Sequence, residues 1–281
     1  MDWSKAKTIL IVAFIITNIL LIYVFIGEKG IEEPTLKEDF IGNVEKLLKD
    51  KDIYLATEIP TDMPYLNTMN VSYENMTIDD LNRLFFENKG ILVKDGDAFS
   101  QIVKEKESVV IINNKLILYE NKNDEKTFKN IDRNQAIQIA EEFLKEKNID
   151  TSDMELTFIK EENDTFYIEY SKLYNGVFVE RAYTNFQIDG RGVKRFERVW
   201  LIVEDLGETE IYISTAPKAI LALLDMEDVY GKTIENISLC YYFDPQKHDY
   251  LEEPGEAKQG KAIPAWRIQF QDGYKVFIDD Y

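Results

Sequence analysis

Residues 8–26 form a long apolar run, TILIVAFIITNILLIYVFI. Its 19 residues include no charge, glycine or proline, and the strongly polar members are Thr8, Thr17 and Asn18. As a helix the run would be about 28 Å long, close to the thickness of a bilayer's hydrocarbon core. No small-residue cleavage site follows it, as a secretory signal peptide would require. The pattern therefore predicts a permanent transmembrane helix.

The residues that flank this run predict its orientation. Lys5 and Lys7 precede the run, and only Lys29 follows it closely. Because basic residues favour the cytoplasmic side, the N-terminus is expected in the cytoplasm. Trp3 and Tyr23 lie near the two ends, where amphipathic rings favour the membrane interface. The prediction is a single-pass protein of the cell membrane, with the bulk of the chain extracytoplasmic.

Three residues inside the predicted helix are candidates for contact with another helix. Ala13 and Thr17 form a small-xxx-small pair, which lets a second helix approach closely. Asn18 lies at mid-span, where an amide without a partner is costly, and it could form a hydrogen bond across the contact. The alternative is that one asparagine is simply tolerated in a long apolar helix. These three residues are the predicted transmembrane partner contact.

Beyond the span, apolar residues recur at helical spacing in four segments. Each of the first three begins at an N-cap residue that has its capping-box partner three positions later. The pairs are Thr35 with Glu38, Thr77 with Asp80 and Asp132 with Gln135, and the fourth segment opens on a proline, a favoured first residue of a helix. The predicted helices begin at Thr35, Thr77, Asp132 and Pro217.

Strand patterns fill most of the sequence between these helices, with asparagine- and glycine-rich turns separating several of them. A helix followed by an antiparallel meander thus recurs three times, which favours an α+β fold. The predicted strands are 53–56, 69–73, 99–103, 108–112, 116–119, 154–160, 165–173, 177–188, 193–203, 234–243, 262–270 and 274–278.

The domain organisation follows from these patterns. Residues 1–7 are the expected cytoplasmic tip, 8–26 the transmembrane helix and 27–34 a tether. Residues 120–130 are polar and poor in apolar side chains, as a boundary would be. The predicted extracytoplasmic α+β subdomains are therefore 35–130 and 131–281.

Charge and cysteine content restrict the partners and the setting. The formal net charge is −19, and without residues 1–27 there are 31 basic and 51 acidic residues. So acidic a surface repels phosphate backbones, which argues against a nucleic-acid partner. A single cysteine excludes an intrachain disulfide, which is ordinary for an exported domain of a Gram-positive bacterium.

Residue types suited to catalysis or metal binding are scarce. Cys240 and the single histidine, His248, would need the fold to bring them together with a third orienting group. Cys240 lies in an apolar strand, so a small buried side chain is the better interpretation. Zinc would require more cysteines and histidines, and the loop around Lys94 to Asp97 lacks the ligands of an EF-hand. The sequence therefore predicts no catalytic, cofactor-binding or metal residues.

Adjacent carboxylates are the remaining enzymatic possibility, since a carboxylate pair can hydrolyse glycosidic bonds. Adjacency in sequence does not aim two groups at one bond, and 52 acidic residues produce such pairs by chance. A solvated surface explains them better than a wall hydrolase. The pairs are Glu161-Glu162, Glu252-Glu253 and Asp279-Asp280.

Both ends of the chain resemble those of the YycI (WalI) family. The opening Met1-Asp2-Trp3-Ser4-Lys5, with Lys7-Thr8-Ile9 running into the apolar segment, is similar to the start of these proteins. Pro264-Ala265-Trp266-Arg267-Ile268 with Gly273-Tyr274 resembles their closing hairpin. Length, one N-terminal span and an α+β outer region agree along the chain, and its middle also resembles PepSY modules.

This resemblance implies regulation without catalysis or cofactor. It implies a single-span accessory protein that contacts the sensor histidine kinase YycG/WalK through its membrane helix and pairs outside the cell with a YycH-like protein. That two-component system controls cell-wall metabolism by signal transduction. The alternative function is a membrane-anchored PepSY-like module that binds a peptide, protease or cell-wall ligand. The sequence leaves open whether the outer region also forms a homo-oligomer.

Overall fold

The computed structural model describes residues 3–28, 33–62, 65–96, 98–245 and 258–279. Five α-helices occur in these ranges, with 3₁₀ segments at Pro34–Leu36, Ile220–Asp225 and Glu227–Val229. The helices are α1 (Trp3–Glu28), α2 (Glu38–Asp50), α3 (Ile78–Phe86), α4 (Arg133–Glu146) and α5 (Ala216–Ala219).

Fourteen strands occur in the same ranges, and they confirm the predicted α+β class. They are β1 (Tyr54–Leu55), β2 (Tyr65–Tyr73), β3 (Ile91–Lys94), β4 (Phe99–Lys104), β5 (Glu107–Ile112), β6 (Leu116–Asn121), β7 (Met154–Glu162), β8 (Thr165–Tyr174), β9 (Val177–Asp189), β10 (Gly192–Val199), β11 (Leu201–Tyr212), β12 (Thr233–Tyr242), β13 (Gln259–Phe270) and β14 (Lys275–Ile278).

Two of the predicted capping boxes are confirmed and one is wrong. The Thr77 and Asp132 side chains each accept a bond from the backbone N–H three residues on, and the return bond is also present. The box at Thr35 does not form, because Pro34–Leu36 is a 3₁₀ turn and α2 starts later, at Glu38. The Thr35 hydroxyl instead lies 2.6 Å from the Thr215 hydroxyl. A tertiary contact has replaced the local one.

The strand predictions need two corrections, and one helix prediction needs a third. β3 was missed, because four residues after a helix end give little alternation to detect. The predicted strand 193–203 is two strands, β10 and β11, which Trp200 separates. β10 pairs with β6 and β9, whereas β11 pairs with β2. The helix predicted from Pro217 is one α-turn that continues as 3₁₀ helix.

Two helix-and-meander units form the middle of the protein. The first unit is α3 with β3–β6, and the second is α4 with β7–β10. Their last strands, β6 and β10, pair antiparallel, so the sheet runs β3-β4-β5-β6-β10-β9-β8-β7. The arrangement relates the units by an approximate two-fold axis between β6 and β10. The boundary proposed near residue 131 falls between the units, and the sheet continues across it.

Both helices pack on the same face of this sheet, here called the outer face. Phe143 of α4 lies between rings of both units, with centroids 6.1 Å from Phe85, 5.2 Å from Tyr119, 5.9 Å from Phe186 and 5.4 Å from Phe196. Such aromatic contacts add to the free energy gained by burying apolar area. One hydrophobic core therefore belongs to both units.

The C-terminal strands build a second layer. β12 and β13 pair antiparallel, and β14 adds to β13. One face of this layer packs against α2 and α5 in a separate core that includes Trp266 and Phe270. The other face of this layer points towards the first sheet. It meets that sheet on the side opposite α3 and α4, which we call the inner face. β2 and β11 extend the structure beyond the N-terminal half of β13.

We expect Phe143→Ala to lower the free energy of unfolding by about 3–5 kcal/mol, because it leaves a cavity among four aromatic rings. Urea unfolding followed by tryptophan fluorescence measures the change. Phe128→Ala is the matched control: Phe128 is 40% exposed, so about 1 kcal/mol or less is expected there. Equal effects of the two substitutions would contradict the shared core.

Candidate functional site

Strand β9 belongs both to the first sheet and to the C-terminal layer, and it bends sharply between them. Lys172 of β8 pairs with Val179, but the preceding residue, Ser171, pairs with Tyr183. The residues between form a bulge, in which Arg181 has a left-handed backbone with φ of 69°. A non-glycine residue in this region is strained, and bulges are where strands bend from one sheet into another. Before the bulge β9 pairs with β12, and after it with β10.

The bulge places Glu180 in a buried ion cluster, which we call the corner network. Arg267 Nε of β13 donates to Glu180 Oε1 at 2.5 Å, and Lys275 Nζ of β14 lies 3.3 Å from the same oxygen. Lys275 also pairs with Glu169 of β8. Glu180 is 3% exposed and Arg267 1%. A carboxylate this deeply buried is stable only because it is paired.

Neutral polar groups extend the corner network between the two layers. Gln269 Nε2 donates to the Thr157 carbonyl at 2.6 Å, and Arg267 donates to the Gln269 side chain. Lys275 Nζ donates to Ser171 Oγ at 2.9 Å, and that oxygen lies 3.0 Å from Thr157 Oγ1. Hydrogen bonds and ion pairs therefore join the inner faces of the two layers at this corner.

Beside this network an open groove of about 370 Å³ lies along the second unit. Tyr183 donates to Glu197 Oε1 at 2.9 Å, and Arg195 lies 3.5 Å from the same carboxylate group. Asn185 Oδ1 is a buried acceptor with no hydrogen-bond partner among the described residues. We call this surface the inner groove; its lining residues are Phe158, Tyr167, Ile168, Glu169, Asn185, Phe186, Gln187, Arg195 and Glu197.

Burial sets the protonation of two groups near these sites. It raises the pKa of the Tyr183 hydroxyl, and the neighbouring Glu197 carboxylate raises it further. Burial likewise raises the pKa of the Cys240 thiol well above its usual range, with a further contribution from Glu180. Since the thiolate is the nucleophilic form, Cys240 is an unreactive thiol packed near Tyr242 and Ala265.

The chemistry of the inner groove suits binding. Glu169 and Glu197 each have a cationic neighbour, and Asn185, Gln187 and Tyr167 supply further polar groups. Such a surface can hold a ligand that offers both donors and acceptors. Within the described ranges, no group of three or more histidine, cysteine, aspartate or glutamate side chains could hold a metal ion.

The residues weighed as candidates for catalysis do not converge on this groove. Cys240 is fully buried, and His248 lies outside the described residues. Glu161 and Glu162 are exposed at the end of β7. Asp95 accepts a hydrogen bond from Ser100 Oγ at 2.8 Å, whereas Asp97 is outside the described ranges. Of the other carboxylate pairs, 252–253 and residue 280 are also outside.

In α1, the polar side chains of the predicted contact bond to their own helix. Thr17 Oγ1 donates to the Ala13 carbonyl at 2.9 Å, and Asn18 Nδ2 donates to the Phe14 carbonyl at 2.8 Å. Such bonds to the preceding turn use one donor of the Asn18 amide and leave its oxygen and second N–H. The partner contact at Ala13, Thr17 and Asn18 stays a prediction.

The predicted interface anchors also lie in α1. Trp3 and Lys7 are exposed, whereas Lys5 and Tyr23 belong to the part of the helix whose side chains are not described. Counting only what the structure describes, we find no helix with the length and apolarity that crossing a membrane requires. Every large apolar side chain described between residues 10 and 22 is at least 49% exposed.

Sequence reasoning gave no role to the three central residues of the corner network. Glu180 follows Val177-Phe178-Val179, and Arg267 follows Ala265-Trp266. A charged residue within an otherwise apolar strand could have indicated Glu180 and Arg267, because a charge is buried only when it has a partner. Their pairing could not be read from the sequence, since 87 positions separate them.

The sequence profile of the family described as "YcdB, YcdC repeated domain" (DUF4901) matches residues 57–199, just over half of the chain. The chain belongs to this family. The match covers β2, both helix-and-meander units and the strand β9 with its bulge. No curated protein sequence matches the chain.

Two solved structures share the fold. A crystal structure of an uncharacterized protein from Eubacterium rectale is 13% identical with a TM-score of 0.52, over 85% of this chain and 96% of that one. YycH from Bacillus subtilis is 11% identical, also with a TM-score of 0.52, over 78% of this chain. The match covers 53% of the YycH chain, about half its length. At these identities the likeness shows the fold alone.

We expect Glu180→Leu to destabilise the protein by about 3–5 kcal/mol, because it leaves Arg267 and Lys275 as buried charges without their shared carboxylate. Urea unfolding gives the change. The control is Glu162→Leu, whose partner Lys160 is half exposed, so an effect of about 1 kcal/mol or less is expected. A Glu180→Leu protein as stable as the control would show that the corner network does not hold the layers together.

Proposed function

We propose that this protein is a membrane-anchored regulatory protein without catalytic activity. It modulates a sensor histidine kinase of the YycG/WalK type through its N-terminal helix, together with a YycH-like partner of its extracytoplasmic domain. The observation that carries the proposal is a long, exposed apolar helix ahead of a domain that shares its fold with YycH. The resemblance of both chain ends to the YycI family supports the same function.

The exposed side chains of α1 support the anchor. A helix that is apolar on every side is buried either in a protein core or in a membrane. Leu10, Phe14 and Leu21 are 73%, 70% and 61% exposed, so the folded domain does not cover this helix. Lipid is the environment that suits it. We place its N-terminus in the cytoplasm and the domain outside, from the lysines that precede the helix.

A helix in the membrane can regulate a kinase by packing better against one of the kinase's states. A difference in packing free energy of 1–3 kcal/mol shifts the population of that state roughly 5- to 150-fold. An interhelical hydrogen bond in a membrane contributes about 0.5–2 kcal/mol. The Asn18 groups left by the bond to Phe14 can therefore supply a useful part of this difference.

We expect Asn18→Leu in the full-length protein to weaken association of the helix with the kinase, because the mid-span amide is lost. A membrane two-hybrid assay with residues 1–30 and the sensor kinase measures association, and kinase autophosphorylation in membranes measures regulation. Ile16→Leu, on another side of the helix, should change neither. The helix-contact model is wrong if residues 1–30 do not associate and Asn18→Leu leaves kinase activity unchanged.

The inner groove favours a second candidate function, a PepSY-like module that binds a peptide, protease or cell-wall ligand. Its lining offers the side chains of Gln187, Arg195 and Glu197 as hydrogen-bond donors and acceptors for such a ligand. In this case the span would serve localisation alone, and residues 35–281 would bind ligand without it.

We expect Gln187→Leu to weaken binding at the inner groove at least several-fold if this second function holds, because a polar group of the ligand would lose its hydrogen-bond partner. Soluble peptidoglycan fragments and a mixed peptide library, added to protein with and without residues 1–34, are the probes, and calorimetry gives the affinities. Lys160→Met, outside the groove lining, is the control. Equal affinities for Gln187→Leu and the control would count against the groove.

A further inference from the structure

Two strands of the first unit, β5 and β6, have apolar residues on both sides. β5 contains the run Ser108-Val109-Val110-Ile111-Ile112, and β6 begins Leu116-Ile117-Leu118. A strand with one face in water normally alternates apolar and polar residues, whereas a continuous apolar run is typical of a strand covered on both faces. The sequence of these strands therefore predicts that both faces of the sheet are covered.

The structure supplies only one of the two covers within its described residues. Val109, Ile111 and Ile117 point to the outer face and lie in the core beneath α3 and α4. Their neighbours on the inner face are half-buried and belong to none of the hydrophobic clusters of the described chain. We call this surface the apolar inner face; it consists of Val103, Val110, Ile112, Leu116 and Leu118.

The second unit shows what kind of cover fits an inner face of this sheet. At β7 and β8 the inner face of the second unit is covered by β13 and β14: Gln269 bonds to Thr157, and Lys275 pairs with Glu169. Gly273, in the turn between those strands, is packed so closely that a Cβ there would lie 2.9 Å from the Phe158 ring. A β-sheet thus covers part of the inner face in the second unit. Two sheets pack in this way about 10 Å apart.

Charge indicates which molecule brings the second sheet. Residues 89–129 contain eight lysines and seven acidic residues, although the whole chain has a net charge of −19. Two copies of so acidic a protein repel each other over most of their surfaces, but not over this segment. An apolar, charge-balanced sheet face is also self-complementary, as the interface of a two-fold dimer must be.

We propose that the apolar inner face is a dimer interface, covered by the same face of a second copy of this chain. The two sheets would stack face to face about a two-fold axis, with Val110, on β5 between β4 and β6, close to that axis. This proposal does not depend on kinase regulation, because it concerns the extracytoplasmic domain alone.

Light scattering of the full-length protein in detergent, with the detergent mass subtracted, measures the assembly. We expect a dimer for the wild type and a monomer for Val110→Lys, because a lysine in the apolar inner face would bury an unpaired charge in each copy. Ile202→Lys is the matched control: Ile202 is 45% exposed on β11, and this variant should stay dimeric. A monomeric wild type, or a dimeric Val110→Lys, would overturn the proposal.

A crosslink tests the same contact without adding a charge. Val110→Cys should form a disulfide-linked product of twice the chain mass in membranes under mild oxidation, whereas Glu142→Cys, exposed on α4, should not. Cys240 is buried and does not interfere. A product with the mass of a different protein would assign the face to another partner and overturn the second copy. No product, from a variant whose far-ultraviolet circular dichroism matches the wild type, would also overturn it.

Discussion

The carboxylate of Glu180, held between Arg267 and Lys275, is the interaction on which the arrangement of the layers depends. A buried carboxylate needs both cations, and those cations lie on strands that follow it by more than 85 positions. The bulge at Arg181 orients Glu180 towards Arg267 and Lys275. At the same position β9 passes from one sheet into the other. The strained backbone of Arg181 and the buried charge of Glu180 therefore belong to the same bend in β9.

This corner divides the inner face of the long sheet into two surfaces of different chemistry. In the second unit that face is polar, where it meets β13 and β14 and continues into the inner groove. In the first unit the same face is apolar, with Val110 and Leu118 half-buried and outside every core of the described chain. A hydrogen-bonded surface and an apolar one suit different occupants, so one sheet offers two separate sites. The polar part supports ligand binding, and the apolar part supports association of copies.

The proposed regulatory function links these surfaces to the N-terminal helix. The helix has exposed apolar side chains and, at Asn18, an amide that is only partly satisfied by its own backbone. The domain would position this helix and respond to binding partners, while the helix would bias the state of a kinase. A dimer through the apolar inner face would bring two such helices into one membrane assembly. Each part of this scheme has its own test, since the domain contact and the helix contact are altered by different substitutions.

The sequence by itself determined the features that depend on neighbouring residues. The capping boxes at Thr77 and Asp132, most strand positions and the α+β class follow from local hydrogen bonds and from apolar periodicity, so they were predictable. The exceptions were places where a distant contact outweighs a local one: Thr35 bonds to Thr215 instead of capping a helix, and the chain turns into a new sheet at Trp200. The corner network and the inner groove were decided only by the tertiary structure, because Glu180, Arg267 and Lys275 meet through β9, β13 and β14. No periodicity encodes a contact between strands that are so far apart along the chain.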